Sequence, residues 1–218
     1  MCFSATASFA AGISLSAAGI FTLKKASRKA EVPFALIPLL FGVQQIIEGI
    51  LWLSFRVDAP ILKTVTSYAF SVFSHTLWPI FVPLSIWLIE VVPWRKKVIA
   101  GFQMIGLAIG IYLLYYIVKF PVTAEVNEHI VYISPHFYRL PAMSFYLAAT
   151  CIGSLFSSHR IVNLFGAMAL VLFVIAYWFF TVALFSVWCF FSAILSFIIY
   201  FYFNSTCRNE HPIETDHL

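Results

Sequence analysis

Two ionisable side chains sit where the surrounding sequence is almost wholly apolar. Glu48 occurs in Gln44-Gln45-Ile46-Ile47-Glu48-Gly49; Gln44, Glu48 and Trp52 follow at intervals of four, so a helix puts them on one face. His75 occurs in Ser71-Val72-Phe73-Ser74-His75-Thr76-Leu77-Trp78-Pro79, where Ser67, Ser71, His75 and Trp78 share a face. In lipid a charged group at mid-span costs about 2.5–3.5 kcal/mol, so such residues either hold a partner or serve an ion, a proton or a substrate. Pro79 offers no N–H to the carbonyl of residue 75, so a free backbone acceptor is expected beside the imidazole. Irregular backbone at membrane depth is tolerated where it is packed in protein or lines a cavity. Pro83 repeats the break one turn on. The bland alternatives are a protonated packing glutamate at position 48 and, at 75, a kink with one satisfied core histidine.

Cys189, beside Trp188 and followed by Ser192 and Ser196, falls at the same depth on the last apolar stretch, and Cys2 and Ser4 open the chain at that surface. The longest connection, residues 121–141, carries His129, His136 and Arg139. Its composition reads first as solvated polar surface, with those three residues as lid candidates. Glu, His and Cys together invite a metal reading. No His-Glu-x-x-His, Cys-x-x-Cys or His-x-x-x-His occurs, and no metal site is expected. The pair Ser71-x-x-x-His75 resembles one element of the seven-span alkaline ceramidases, but their paired histidines on the last span are missing here. A retinal Schiff base is excluded, since the last span has no lysine. No Walker loop, Gly-x-Ser-x-Gly or dinucleotide fingerprint is present. Catalytic roles and cofactors stay unassigned.

The elements that must position these residues follow from composition. The 218 residues are 62% apolar and 10% charged, against about 45–50% and about 25% in soluble domains. A bilayer absorbs that excess and a water-soluble core does not. A span needs about 20 apolar residues, and seven segments qualify: 5–23, 33–55, 64–90, 98–118, 142–158, 161–181 and 185–203. The uninterrupted run 161–203 would make one helix of about 60 Å, so a turn is expected near Thr181–Ser186. The fold class is thus an all-α integral membrane protein, a single seven-helix domain over 1–204 with a short cytoplasmic tail, 205–218. No soluble module fits in this length, and no cleaved signal is expected, because MCFSATASF has no positive n-region.

Lys24, Lys25, Arg28, Lys29, Arg95, Lys96, Lys97, Arg160 and Arg208 fall on one side of a seven-span path, against Arg56, Lys63, Lys119 and Arg139 on the other. The positive-inside rule then places the N-terminus outside and the C-terminus in the cytoplasm. Glu48 and His75 lie in the outer half, about 10 and 16 Å deep at 1.5 Å per residue, on neighbouring antiparallel spans. They are expected to form one coupled polar site. Ser8, Gly12, Ser16 and Gly19 on span one, and Gly106-x-x-x-Gly110 on span four, mark close helix packing. Short matches in order (Ser8-Phe9 with Ser144-Phe145, Leu40-Phe41-Gly42 with Leu164-Phe165-Gly166, Phe70-Ser71-Val72 with Phe185-Ser186-Val187) suggest a 3+1+3 parallel repeat of the kind small seven-span carriers use.

The stretches MCFSATASF, PFALIPLLFGVQQIIEGILWLSF, WPIFVP and SVWCFFSAILS together resemble a bacterial membrane-protein family, a domain of unknown function. The likeness covers nearly the whole chain and includes Cys2, Gln44, Gln45, Glu48, Trp78, Pro79, Trp188 and Cys189. It implies a bacterial multi-pass protein of the cytoplasmic membrane and supplies no activity. The expected function is a small carrier or channel-like protein whose polar site comprises Glu48, His75, Gln44, Gln45, Trp52, Ser71, Trp78, Cys189 and Cys2. The alternatives are a membrane-embedded enzyme using Glu48 and His75 as acid/base or metal ligands, and a non-catalytic membrane partner or sensor. Expected partners are the lipid bilayer and a small molecule or ion; the net charge of +4 lies in connecting loops and signals no nucleic acid. Substrate and oligomeric state are not written in the sequence.

Overall fold

The computed structural model describes residues 4–126, 129–133 and 140–210, without the side chains of 182 and 205–210. Cys2, His136 and Arg139 lie outside the described residues. Within them, six helices are long and apolar enough to cross a membrane: Ala5–Lys25, Lys29–Arg56, Pro60–Ile89, Pro93–Lys119, Arg160–Phe179 and Leu184–Asn204. The expected span 142–158 is a shorter apolar rod, Leu140–Leu155.

In chain order the elements are α1 (Ala5–Lys25), α2 (Val32–Arg56), α3 (Pro60–Ser71), α4 (Trp78–Ile89), α5 (Pro93–Lys119), strands β1 (Thr123–Val126) and β2 (Ile130–Ile133), α6 (Leu140–Leu147), α7 (Gly153–Leu155), α8 (Arg160–Phe179), α9 (Leu184–Leu195) and α10 (Phe197–Glu210). Two π-helical segments, Val72–Leu77 and Ala148–Ile152, join α3 to α4 and α6 to α7 into continuous rods.

Local chemistry sets the ends. Pro33, Pro60 and Pro93 stand in the first turns of α2, α3 and α5, where a missing N–H costs nothing. The Ser4 hydroxyl caps α1 by accepting from the Ala7 N–H at 3.2 Å. Two expected starts are corrected: helices begin at Pro60 and Pro93 rather than 64 and 98. Arg95, Lys96 and Lys97 therefore ride the first turns of α5. Hydropathy trims a helix at its charges, whereas long cationic stems can lie along it; Lys96 Nζ rests 4.8 Å from the Trp87 ring. The apolar run after Arg160 breaks at Phe180, through a 3-10 turn at Thr181–Ala183, within the expected stretch. The last helix continues to Glu210, so the expected tail at 205 starts inside it.

Polarity is inverted relative to a soluble bundle. Val118, Val171 and Ile111 are 78%, 57% and 57% exposed, while Gln44, Gln45 and Glu48 are fully buried. Lipid is the solvent that suits such a surface. The small-residue face of α1 packs on α2 backbone to backbone: a Cβ on Gly42 would fall 2.7 Å from the Ser16 nitrogen.

The connections gather at two ends. At the basic end Lys25 Nζ meets Asn204 Oδ1 at 2.6 Å, and Arg95 donates to the carbonyls of Phe156 and Ser157 at 3.2 and 2.8 Å. Glu90, just past α4 and 1% exposed, fastens this end. Its Oε1 accepts from the N–H groups of Val91 (3.0 Å) and Val92 (2.9 Å) and from the Ser158 hydroxyl (2.8 Å). Its Oε2 accepts from the Ser158 N–H (2.7 Å) and the Ser157 hydroxyl (3.2 Å). Burial alone would raise the Glu90 carboxyl, but those donors outweigh it and hold it below its ordinary range. The sequence reading passed over Glu90.

The other end carries the antiparallel hairpin, paired from Thr123↔Ile133 to Val126↔Ile130. This corrects the expectation of a solvated loop over 121–141 for the two strands, Thr123–Val126 and Ile130–Ile133. Ala124, Ile130 and Tyr132 are buried against Leu51, Phe70 and Cys189, and the Tyr132 ring stacks on Phe70 at 4.3 Å. Ala124 and Val126 pair with Tyr132 and Ile130 and alternate with the more exposed Thr123, Glu125, Val131 and Ile133, so these four share one apolar face, and that face closes on the helices.

Candidate functional site

The site is built on α2, whose face Gln44, Gln45 and Glu48 points inward with no exposure. Periodicity of four brings Gln44 and Glu48 together, and α4 and α9 supply the facing wall. The Gln44 Oε1 accepts from the Trp78 Nε1–H at 2.7 Å, while Phe41, one turn earlier, stacks on the Trp78 ring at 3.8 Å. The Ser186 hydroxyl of α9 donates to Glu48 Oε1. One turn along α9, the Cys189 thiol faces Gln44 and Glu48. Thus Gln44, Gln45, Glu48, Trp78 and Cys189 are brought to one region, which Cys189 links to the hairpin's cluster.

His75 joins that region from the side. Its Nδ1 lies 2.6 Å from the Ser74 hydroxyl and its ring 5.2 Å from Phe185. The consecutive residues Phe185 and Ser186 therefore touch His75 and Glu48 respectively, and the first turn of α9 ties the two ionisable residues together. Ser71 is buried on the same rod. Trp52 is half-buried one turn beyond Glu48, against the hairpin cluster. His129 sits on the hairpin, edge-on to Phe180 at 5.4 Å.

The π-helical turn changes the carbonyl expected to be free. Within Val72–Leu77 hydrogen bonds run five residues back, as Trp78 N–H to Phe73 O shows. In that register Pro79 stands opposite Ser74 rather than His75. The Ser74 carbonyl is taken by the Tyr146 hydroxyl at 2.5 Å, a buried donor from the short rod Leu140–Leu155. The wide turn and the proline thus create an acceptor, and a tyrosine from across the bundle fills it.

Several polar atoms in this region have no partner among the described residues although their surroundings exclude solvent: both amide atoms of Gln45, Trp52 Nε1 and Ser71 Oγ. An unmatched buried polar atom costs about 1–3 kcal/mol, so a cluster of them asks for an explanation in function. Beneath them lies a cavity of about 30 Å³ whose lining includes Trp78, Tyr146, Thr150, Cys151, Cys189 and Ser192. Most of its lining is apolar, Phe41, Val82, Phe165, Ala169 and Trp188 included, so it offers a water few partners. Among the described residues no three His, Cys, Asp or Glu side chains converge as metal ligands.

Sequence reasoning missed Ser186, Tyr146, Thr150 and Cys151. Ser186 could have been found as the residue three before Cys189, on its face. Tyr146, Thr150 and Ser154 follow at intervals of four along the short rod, the same signal that singled out Gln44 and Glu48.

No curated protein matches this chain, and no solved structure does. The model of a family of unknown function, DUF6629, matches residues 1–214. Almost the full length is covered, and the chain belongs to that family.

Proposed function

We propose that this protein is a small carrier of the bacterial cytoplasmic membrane that binds a small hydrogen-bonding solute at Gln44, Gln45 and Glu48, with the β1–β2 hairpin as its lid. The observation that carries this reading is the set of buried polar atoms around Glu48 without a partner among the described residues, with Trp52 packed in the hairpin's own cluster. A ligand offering both donors and acceptors, such as an amide, urea or polyol, would satisfy them together. The π-helical segment beside His75 supports it, since such irregular turns cluster at functional sites.

In this reading the chain crosses the bilayer seven times. The rod Leu140–Leu155, about 24 Å at 1.5 Å per residue, is shorter than the roughly 30 Å hydrocarbon core and is accommodated by local thinning. The N-terminus is outside, so the hairpin faces the exterior and the Glu90 end the cytoplasm. In a Cys2→Ser/Cys207→Ser background, Glu125→Cys is expected to react with an impermeant maleimide in intact cells, and Lys97→Cys only after permeabilisation. Both positions are exposed, and the reverse labelling would invert the orientation.

The ligand reading is tested by thermal melting of the detergent-purified protein against a panel of small amides, ureas, polyols and alkylammonium ions. At least one class is expected to raise the melting temperature of the wild type and leave Gln45→Leu unmoved. Gln45→Leu, relieved of two unmatched atoms, is expected to melt higher without ligand. A panel that moves neither protein, or a solute that shifts both equally, would remove Gln45 from a binding site.

A further inference from the structure

The cavity beside the Trp78–Gln44 hydrogen bond is walled by rings. Phe41, Trp78, Tyr146, Phe165 and Trp188 all line it, with the aliphatic Val82 and Ala169 between them. The donors of these walls are engaged elsewhere. The Trp78 Nε1–H bonds Gln44 at 2.7 Å and the Trp188 Nε1–H bonds the Ala169 carbonyl at 2.9 Å. The Tyr146 hydroxyl donates to the Ser74 carbonyl and the Thr150 hydroxyl to the Tyr146 carbonyl. Ser192 and the thiols of Cys151 and Cys189 complete the lining. A group seated here is therefore held mainly by rings rather than by hydrogen bonds. The cavity's 30 Å³ is the room it leaves for the centres of water-sized spheres. A compact hollow with that room is about 6–7 Å across, wide enough for a substituent of about five heavy atoms.

Charge and reach narrow the occupant. Aromatic rings attract a cation, and the attraction grows where water is excluded. A cation at membrane depth also needs a counter-charge, and a carboxylate stands beside the hollow: Cys189, on its wall, is within the electrostatic reach of Glu48. An ammonium bearing N–H groups would call for several acceptors, whereas methyl groups on nitrogen suit a wall of rings. The hollow also adjoins unmatched polar atoms. Phe41, Gln45 and Glu48 follow at intervals of four and three on α2, on one face. Gln45 thus lies one helical turn, about 5.4 Å, along from Phe41, a step that a two-carbon linker with a terminal hydroxyl can cross. A hydroxyl both donates and accepts, so it serves the two Gln45 amide atoms that have no partner among the described residues.

We infer that this hollow is an aromatic cage for a methylated ammonium group, and that the solute is a small methylated-ammonium alcohol with its cation among the rings and its hydroxyl at Gln45. This deepens the carrier reading and rests on it for the Gln45 half of the ligand. Glu48 neutralises the bound cation from beyond Cys189, and no covalent bond changes.

The test is isothermal titration of the full-length protein purified in a maltoside, whose headgroup carries no ammonium. The ligands are hydroxyethyl-trimethylammonium and its uncharged isostere, in which a tert-butyl group replaces the trimethylammonium. The cation is expected to bind about tenfold more tightly than the isostere. Phe165→Leu, which removes one ring at similar volume, is expected to weaken the cation about fivefold and leave the isostere within about twofold. Circular dichroism and melting confirm that each variant is folded; should Phe165→Leu fail to fold, Ala169→Leu fills the hollow and is expected to abolish binding of both ligands. Equal affinity for the two ligands, no measurable binding of either, or full cation binding by folded Phe165→Leu or Ala169→Leu would overturn the cage. A short-chain phosphatidylcholine is expected not to compete; displacement by it would assign the ammonium to a lipid headgroup and overturn the free solute. Gln45→Leu separates the two readings. Weaker cation binding there, with equal wild-type affinities for cation and isostere, overturns the cage and leaves the Gln45 site. Unchanged binding there, with loss in Phe165→Leu, overturns the placement of the hydroxyl and leaves the cage.

Discussion

Replacing Gly106 with alanine is expected to destabilise the bundle by about 3 kcal/mol, the upper range for overpacking a well-filled interior. A Cβ built there collides with the Pro79 carbonyl oxygen and falls 3.3 Å from the Ala149 Cβ. The first is backbone, so no rotamer change can absorb the clash. Either α5 withdraws from the rod carrying the π-helical turn, or Pro79 moves and takes Trp78 with it. The second route weakens the Trp78–Gln44 hydrogen bond, so solute binding should fall along with stability. Gly101→Ala is the control: nothing lies within 4 Å of its Cβ, and the better helix propensity of alanine should stabilise by up to about 1 kcal/mol. Unfolding midpoints in mixed micelles read both. Equal midpoints for the two variants would show that α5 does not rest on Pro79 as described.

That contrast marks what the sequence carries and what it hides. Gly106 and Gly110 are visible as a spaced pair, and close packing follows from spacing alone. Which backbone they approach depends on the path of another helix. The α2 face is likewise legible, because lipid makes Gln44, Gln45 and Glu48 expensive wherever they point. Pro79 announces an unpaired carbonyl, yet the acceptor moves from His75 to Ser74 once the turn widens to five-residue hydrogen bonds. Nothing in a residue list fixes that register, and the tyrosine that fills it comes from 72 residues away in the chain. The hairpin hides for a different reason. Its apolar face is only Ala124, Val126, Ile130 and Tyr132, too short to stand out beside helices of twenty residues and more, and its burial depends on Phe70 and Leu51 beneath it. Glu90 escaped because it sits at a helix end, where a carboxylate is cheap in water. Only the fold reveals that water is replaced there by the donors of two loops.

Glu90→Gln is expected to cost about 2–3 kcal/mol of stability at neutral pH and progressively less in acid. The carboxylate accepts five hydrogen bonds, three of them from backbone N–H groups. Bonds to an ionised acceptor contribute more than neutral ones, roughly 1.5–3 kcal/mol against about 1. An amide keeps the shape, loses the charge, and turns one NH2 toward donors it cannot serve. The pH dependence follows from linkage. Folding holds the Glu90 carboxyl below its ordinary value of 4.5, with burial opposing ionisation and the donors of Ser158, Val92 and Ser157 overcoming it. A group depressed in this way stabilises fully above its unfolded pKa, and that contribution is lost as pH falls through the lower folded value. The wild type should therefore shed the Glu90 contribution below about pH 4.5, while Glu90→Gln has none to shed. Glu31, which accepts from Ser27, Arg28 and the Arg28 side chain, adds an acid limb common to both proteins and cancels in their difference. Melting temperatures measured from pH 7 to pH 3 should converge, and amide exchange at Ser158 in the wild type should quicken over the same window. Parallel melting curves with a constant gap would mean that Glu90 acts through its shape rather than its charge, and the clasp between α4 and the Ser157–His159 loop would then be indifferent to protons.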